Sequence, residues 1–124
     1  MNMSDCFILL AAGKGKRFKS KTLKQFHILN GKSLVDHSIE KAIKSKIFKE
    51  IIIVTNSKIK KPKYKSVKII KGGSERFKSS KKALEHIKNK MHKNVFIHDA
   101  ARPNFSIRLL KRLKKELKKN KAVV

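Results

Sequence analysis

The sequence predicts an α/β layer fold, and three observations lead there. Short β-branched or wholly apolar runs alternate with stretches in which apolar residues recur every three or four positions. The first run is apolar without alternation, as expected of a strand covered on both faces. At 124 residues the chain holds one domain at most.

The first strand is Cys6-Phe-Ile-Leu-Leu-Ala-Ala12. It is too short to span a bilayer, and Asp5 before it with Lys14, Lys16 and Arg17 after it make a poor signal peptide. The loop Gly13-Lys-Gly-Lys-Arg17 follows, then a less regular stretch to Gly31 that includes Leu23-Lys-Gln-Phe26. Ser33 is placed to cap a helix, and Asp36 three residues on favours its exposed N–H groups. Val35, Ile39, Ala42 and Ile43 form the apolar face of that helix. Ile51-Ile-Ile-Val-Thr55 is β-branched throughout and reads as the second strand. Asn56 to Ser66, broken by Pro62, reads as loop.

Val67-Lys-Ile-Ile70 is the third strand, ended by Gly72-Gly73. Ser80, Ala83, Leu84, Ile87 and Met91 trace an amphipathic helix, and Val95-Phe-Ile-His98 is the fourth strand, running into Asp99-Ala-Ala-Arg-Pro103. A last helix begins near Ser106, with Leu110, Leu113 and Leu117 inward and lysines outward. Lys121-Ala-Val-Val124 opens like a fifth strand. Residues 1–124 are therefore expected to be a single domain cut at the start of a further strand.

Lys+Arg 34 against Asp+Glu 8 gives a net charge of +26, which points to anionic partners. The lysines are spread over the whole chain rather than clustered, so most of them read as solvated. Their field attracts triphosphates and gives non-specific adhesion to nucleic acid at low salt. A dedicated nucleic-acid-binding module is the rival class. Against it, Trp is absent and Tyr64 is the only tyrosine, so aromatic platforms are lacking. The lone Cys6 excludes a disulfide framework and a cysteine-based metal site, and it fits a reducing, cytoplasmic setting. His27, His37, His86 and His92 share no metal-ligand spacing and read as structural or surface positions; His98 reads as a structural hydrogen-bonding residue.

The strongest chemical signal is Ala11-Ala-Gly-Lys-Gly-Lys-Arg17 directly after a strand. Its glycines let the backbone approach a phosphate and turn N–H groups toward it, and Arg17 adds a planar donor fork. It is not a Walker A loop, since Phe18 stands where a second glycine is needed before Lys19-Ser20. The third glycine of a dinucleotide fingerprint is missing too.

Four segments together carry a family resemblance: Leu10-Ala-Ala-Gly-Lys-Gly-Lys-Arg-Phe18, Leu23-Lys-Gln-Phe26, Gly72-Gly-Ser-Glu-Arg76 with Ser79, and His98-Asp-Ala-Ala-Arg-Pro103. In this order they resemble the 2-C-methyl-D-erythritol 4-phosphate cytidylyltransferases of the non-mevalonate isoprenoid pathway, over the first half or so of such an enzyme. The resemblance implies a Rossmann-like three-layer α/β/α nucleotidyltransferase fold with a mostly parallel sheet. It implies transfer of CMP from CTP to methylerythritol phosphate with release of pyrophosphate. A cytidylyltransferase acting on ribitol 5-phosphate or another sugar phosphate is the nearest alternative.

Carried over residue by residue, the resemblance implies that Ala11, Ala12, Gly13, Lys14 and Gly15 wrap the CTP. Arg17 and Lys24 would be catalytic, holding the triphosphate and stabilising charge at the α-phosphorus. Gly73, Ser74 and Ser79 would read the cytosine and sugar. Asp99, Ala100 and Arg102 would lie at the ribose, metal and phosphate side, with Asp99 holding Mg²⁺ or another divalent cation. A homodimer is implied for the family, but its arm is absent from these residues, as is the acceptor pocket. Leu10 and Leu23 replace family prolines, and Ser74 stands where aspartate is common. A chain ending at Val124 is expected to bind CTP with little or no turnover. An inactive fragment with an open sheet edge is the third reading.

Overall fold

Alternation along the first strand sets the layers. In β1 (Ser4–Leu10), Cys6, Ile8 and Leu10 point to one side of the sheet; Phe7 and Leu9, with Ala11 just beyond, point to the other. Both sides are buried, which is why the run is apolar without a polar alternate. The computed structural model describes residues 4–12, 28–29, 32–56, 64–88, 92–100 and 105–117.

After β1 come the two-residue strands β2 (Ile28–Leu29) and β3 (Lys32–Ser33), an antiparallel pair. Then follow α1 (Leu34–Ser45), β4 (Phe48–Thr55), β5 (Val67–Lys71), α2 (Arg76–His86), β6 (His92–Asp99) and α3 (Ile107–Glu116). Four strands form one sheet in the order β5-β4-β1-β6, with every pairing parallel. Helices α1 and α3 touch each other on one face, over Phe7, Leu9, Ile51, Ile53 and Phe96. Helix α2 covers the other face through Ala83 and Ile87, against Ile8, Ile52 and Val54. This is the three-layer α/β/α arrangement that the motifs imply.

The strand order has a functional consequence. From β1 the chain steps outward through β4 to β5, then returns to place β6 on the opposite flank of β1. The order therefore reverses at β1, and in open parallel sheets the crevice at the carboxyl ends beside such a reversal is where ligands bind.

Local chemistry sets the helix ends. Ser33 caps α1 as its sequence position predicts: its hydroxyl oxygen accepts from the Asp36 amide at 3.1 Å and its hydroxyl donates to the Asp36 carboxylate at 3.0 Å. Lys46 ends the helix in the left-handed conformation at φ 58°, its N–H donating to the Ile43 carbonyl. Ser106 caps α3, accepting from the Leu109 amide at 3.0 Å. Leu110 is buried, and Leu113 and Leu117 pack against the same core.

Three expectations need correction. The second and fourth strands begin three residues earlier than their β-branched centres indicate, because Phe48-Lys-Glu50 and His92-Lys-Asn94 pair with the start of β1. Helix α2 begins at Arg76 and ends at His86, rather than running from Ser80 to Met91, and position 91 lies outside the described residues. Leu84 is not on its inner face but 44% exposed. The buried stripe is Ser79, Ala83 and Ile87, spaced by four, which leaves Leu84 about 100° round the helix beside Phe77 and Lys81. The expected fifth strand, 121–124, lies outside the described residues.

Candidate active site

The carboxyl ends of all four strands lie on one edge of the sheet, and the motif residues gather there. Past the end of β1, the Ala11 amide donates to the Val54 carbonyl of β4 at 2.7 Å, and the Ala100 amide donates to the Leu10 carbonyl at 2.9 Å. Ala11 and Ala12 are thus gripped between β4 and β6. Ala12 needs a small side chain because Gly72, after β5, lies against it. A Cβ at Gly72 would come closer than 3.0 Å to both the Ala12 Cβ and the Ser79 Oγ, and would crowd Val54. The Gly72 amide donates to the Thr55 carbonyl at 3.3 Å, which continues the β4–β5 ladder into the turn.

The turn is then tied to α2. Ser79, buried in the first turns of that helix, accepts from the Gly73 amide at 3.0 Å. Asn56, just past β4, donates through Nδ2 to the Gly73 carbonyl at 3.2 Å. Two lysines from α2 reach the same turn: Lys82 Nζ donates to the Gly72 carbonyl at 3.3 Å, and Lys78 Nζ donates to Ser74 Oγ at 3.1 Å. Sequence reasoning passed over Asn56, Lys78 and Lys82. Their signal was positional: Asn56 directly follows a strand, and the lysines sit four residues apart in the helix that follows Gly72-Gly73.

On the other flank, Asp99 ends β6 opposite Leu10 and is half-buried, and Ala100 behind it is fully buried. His98 turns away from this edge, its ring 4.6 Å edge-on from Phe105 in the α3-side core, which fits its structural reading. Ala11, Ala12, Gly73, Ser74, Ser79, Asp99 and Ala100 are thus all at the carboxyl edge. Gly13, Lys14, Gly15, Arg17, Lys24 and Arg102 lie outside the described residues.

A second cluster lies at the opposite, amino-terminal end of the sheet. Cys6, Glu50 and His92 each offer one ligand atom, and these atoms lie within 4.8 Å of one another, a group able to hold a divalent cation. Cys6 is the lone cysteine and His92 has no metal-ligand spacing in the sequence, yet the folded sheet brings both beside Glu50. They come from strands adjacent only in the folded sheet, so no sequence spacing could reveal them.

The family model for 2-C-methyl-D-erythritol 4-phosphate cytidylyltransferase, IspD, matches residues 6–124. The chain belongs to this family. It is 48% identical over 126 residues to the bifunctional enzyme IspD/IspF of Pelagibacter ubique (strain HTCC1062), covering 98% of this chain and 34% of that protein. Among solved structures, the bifunctional IspDF of Campylobacter jejuni superposes with a TM-score of 0.79 at 34% identity, over 94% of this chain and 31% of that one. The Francisella tularensis 2-C-methyl-D-erythritol 4-phosphate cytidylyltransferase (IspD) gives 0.76 at 30% identity, over 94% and 53%. The chain spans from a third to about half of the length of the IspD relatives it matches. Among the described residues, no helix is long and apolar enough to cross a membrane.

Proposed function

We propose that this chain supplies the CTP-binding half of a cytidylyltransferase that transfers CMP to 2-C-methyl-D-erythritol 4-phosphate and releases pyrophosphate. The observation that carries the reading is the Ala11–Ala12, Gly72–Gly73 and Asp99–Ala100 convergence at the strand-order reversal, in a member of the IspD family. Ala11 and Ala12 keep the floor of the crevice free of side chains, so a nucleotide can lie against backbone. Gly73 and Ser74 form its rim with Ser79 behind them; Lys78 and Lys82 bring positive charge to that rim. Arg17 and Lys24 hold the triphosphate and stabilise charge at the α-phosphorus, chemistry that needs alignment and cations rather than proton transfer.

Asp99 is the carboxylate that would hold Mg²⁺, a cation that takes oxygen ligands and is commonly bound by one or two carboxylates with the substrate phosphates. The half-buried carboxylate at the end of β6 fits that demand, and the thiolate–imidazole set at Cys6 and His92 does not. When bound there, the ion would neutralise phosphate charge. A homodimer and a cytoplasmic setting accompany the reading as family expectations.

Titration of CTP·Mg²⁺ tests it. Binding is expected for the parent protein, and Arg17→Ala and Asp99→Asn should each weaken it by about tenfold or more. Unchanged affinity in both variants would remove the site. Pyrophosphate release on offering methylerythritol phosphate or ribitol phosphate decides the acceptor, and turnover with ribitol phosphate alone would move the chain to the sibling activity.

A further inference from the structure

We propose that Cys6, Glu50 and His92 form a second cation site, selective for a thiolate-seeking divalent ion such as Zn²⁺, at the end of the sheet remote from the nucleotide edge. The three residues come from β1, β4 and β6, neighbours in the sheet, and all three are turned toward the α2 face. Parity explains Cys6 and Glu50, which share that face with Ile8, Leu10, Ile52 and Val54. It does not explain His92. Counted back from Phe96 along a regular strand, His92 belongs on the α3 face with Asn94. One extra residue in β6, between the pairs Ser4–His92 and Asp5–Asn94, reverses its direction. A similar irregularity in β4, between Asp5–Phe48 and Cys6–Glu50, sends Phe48 to the α3 side while Glu50 stays beside Cys6. Bulges re-aim side chains, and here two of them flank one donor set.

The donors suit a particular ion. Sulfur, imidazole nitrogen and one carboxylate oxygen are the ligands of Zn²⁺, with the fourth tetrahedral position left to water; Mg²⁺ selects oxygen alone. The Glu50 Oε1 and His92 Nε2 atoms are already 3.1 Å apart, close to the roughly 3.3 Å that two ligands of one tetrahedral ion keep. Binding replaces the hydrogen bond between them with two metal bonds and releases the proton of the Cys6 thiol; the imidazole proton moves to Nδ1. Lys68, 3.1 Å from the other carboxylate oxygen, keeps its partner throughout and orients Glu50. The side chains of Glu50 and His92 are only 10% and 7% exposed and Cys6 is fully buried, so a bound ion would be shielded from competing ligands. From His92 to Asp99 is about 23 Å of strand, too far for this ion to touch a nucleotide. Its role would be to pin three strands together.

Cys6 is the only cysteine among the 124 residues, which gives the test a specific signal. Co²⁺ titrated into the protein, with a thiol-free reductant, should give one saturating equivalent. The spectrum should show thiolate-to-cobalt charge transfer and the visible bands of a tetrahedral ion. Zn²⁺ should bleach both and Mg²⁺ neither. Cys6→Ser should abolish the charge-transfer band, and His92→Gln, which leaves the thiol in place, should weaken Zn²⁺ binding at least about tenfold. Circular dichroism of each metal-free variant checks that it remains folded. No charge-transfer band in the parent protein, or cobalt binding of equal affinity in folded Cys6→Ser, would overturn the proposal.

Discussion

Gly72 meets Ala12 so closely that position 72 has no room for a methyl group. A Cβ on Gly72 would sit closer than 3.0 Å to the Ala12 Cβ and to the Ser79 Oγ, with the buried Val54 behind. None of the three can yield, because Ala12 follows the residue clamped to β4, Ser79 is held in α2 and Val54 is in the core. Gly72→Ala is therefore expected to destabilise the fold by about 1–3 kcal/mol, the usual cost of overpacking. Urea denaturation reads this as a lower midpoint at unchanged slope.

The family resemblance implies a nucleotide-reading role for Ser79, and its hydroxyl oxygen accepts from the Gly73 amide. Removing it leaves that partly buried N–H without its acceptor. Ser79→Ala should lower stability by about 1 kcal/mol, the low end for an unsatisfied donor, and should loosen the turn at the crevice rim. CTP affinity should fall with it. A stability loss with unchanged CTP affinity would make Ser79 purely a support for the turn.

Asp5 is buried at the start of β1, where Asn94 donates to one oxygen at 3.2 Å and Lys114 of α3 lies 3.3 Å from the other. This contact fastens the last described helix to the sheet. Lys114→Met keeps the aliphatic stem and removes the charge, leaving a buried carboxylate with less compensation. A cost of about 1–2 kcal/mol is expected, below that of a fully buried pair because Lys114 is 42% exposed. Asp5→Asn in the Lys114→Met background should recover part of it, as a double-mutant cycle in denaturant will show.

The turn after α1 offers the opposite sign. Lys46 holds a left-handed conformation that L side chains adopt at a cost, and its side chain is exposed. Lys46→Gly should raise stability by about 0.5–1 kcal/mol, the strain relieved exceeding the added freedom of the unfolded chain. Thermal unfolding checks it as a rise in Tm.

Much of this architecture was legible because it is written locally. The unbroken apolar run from Cys6 announced a strand buried on both faces, and Ser33 with Asp36 announced a helix start. The glycines at 72 and 73 marked the turn that closes on Ala12. What stayed hidden depends on strands meeting. Phe48-Lys-Glu50 and His92-Lys-Asn94 are too polar to read as strand, and they extend β4 and β6 only because β1 offers backbone partners beside them. The company of Cys6, Glu50 and His92 depends on the same pairings and on an extra residue in β6. Leu84 misled for a different reason: on a helix beginning at Arg76 the buried stripe is Ser79, Ala83 and Ile87, which leaves Leu84 on an exposed flank.

The charge of +26 makes its own prediction. Acids are so few that any polyanion should bind, yet a diffuse field and a built site differ in their response to salt. An oligonucleotide held by six or more lysine–phosphate contacts releases as many counterions, so its affinity should fall by about 10³-fold between roughly 50 and 200 mM salt. At the proposed site CTP would engage fewer cations than a long polyanion, so its affinity should fall much less over the same range. Fluorescence anisotropy of a labelled oligonucleotide and calorimetry of CTP·Mg²⁺, run at both salts, compare the two slopes. Oligonucleotide binding that withstands salt while CTP binding is undetectable would assign the basic surface a nucleic-acid partner and leave the crevice at Gly72 without its nucleotide.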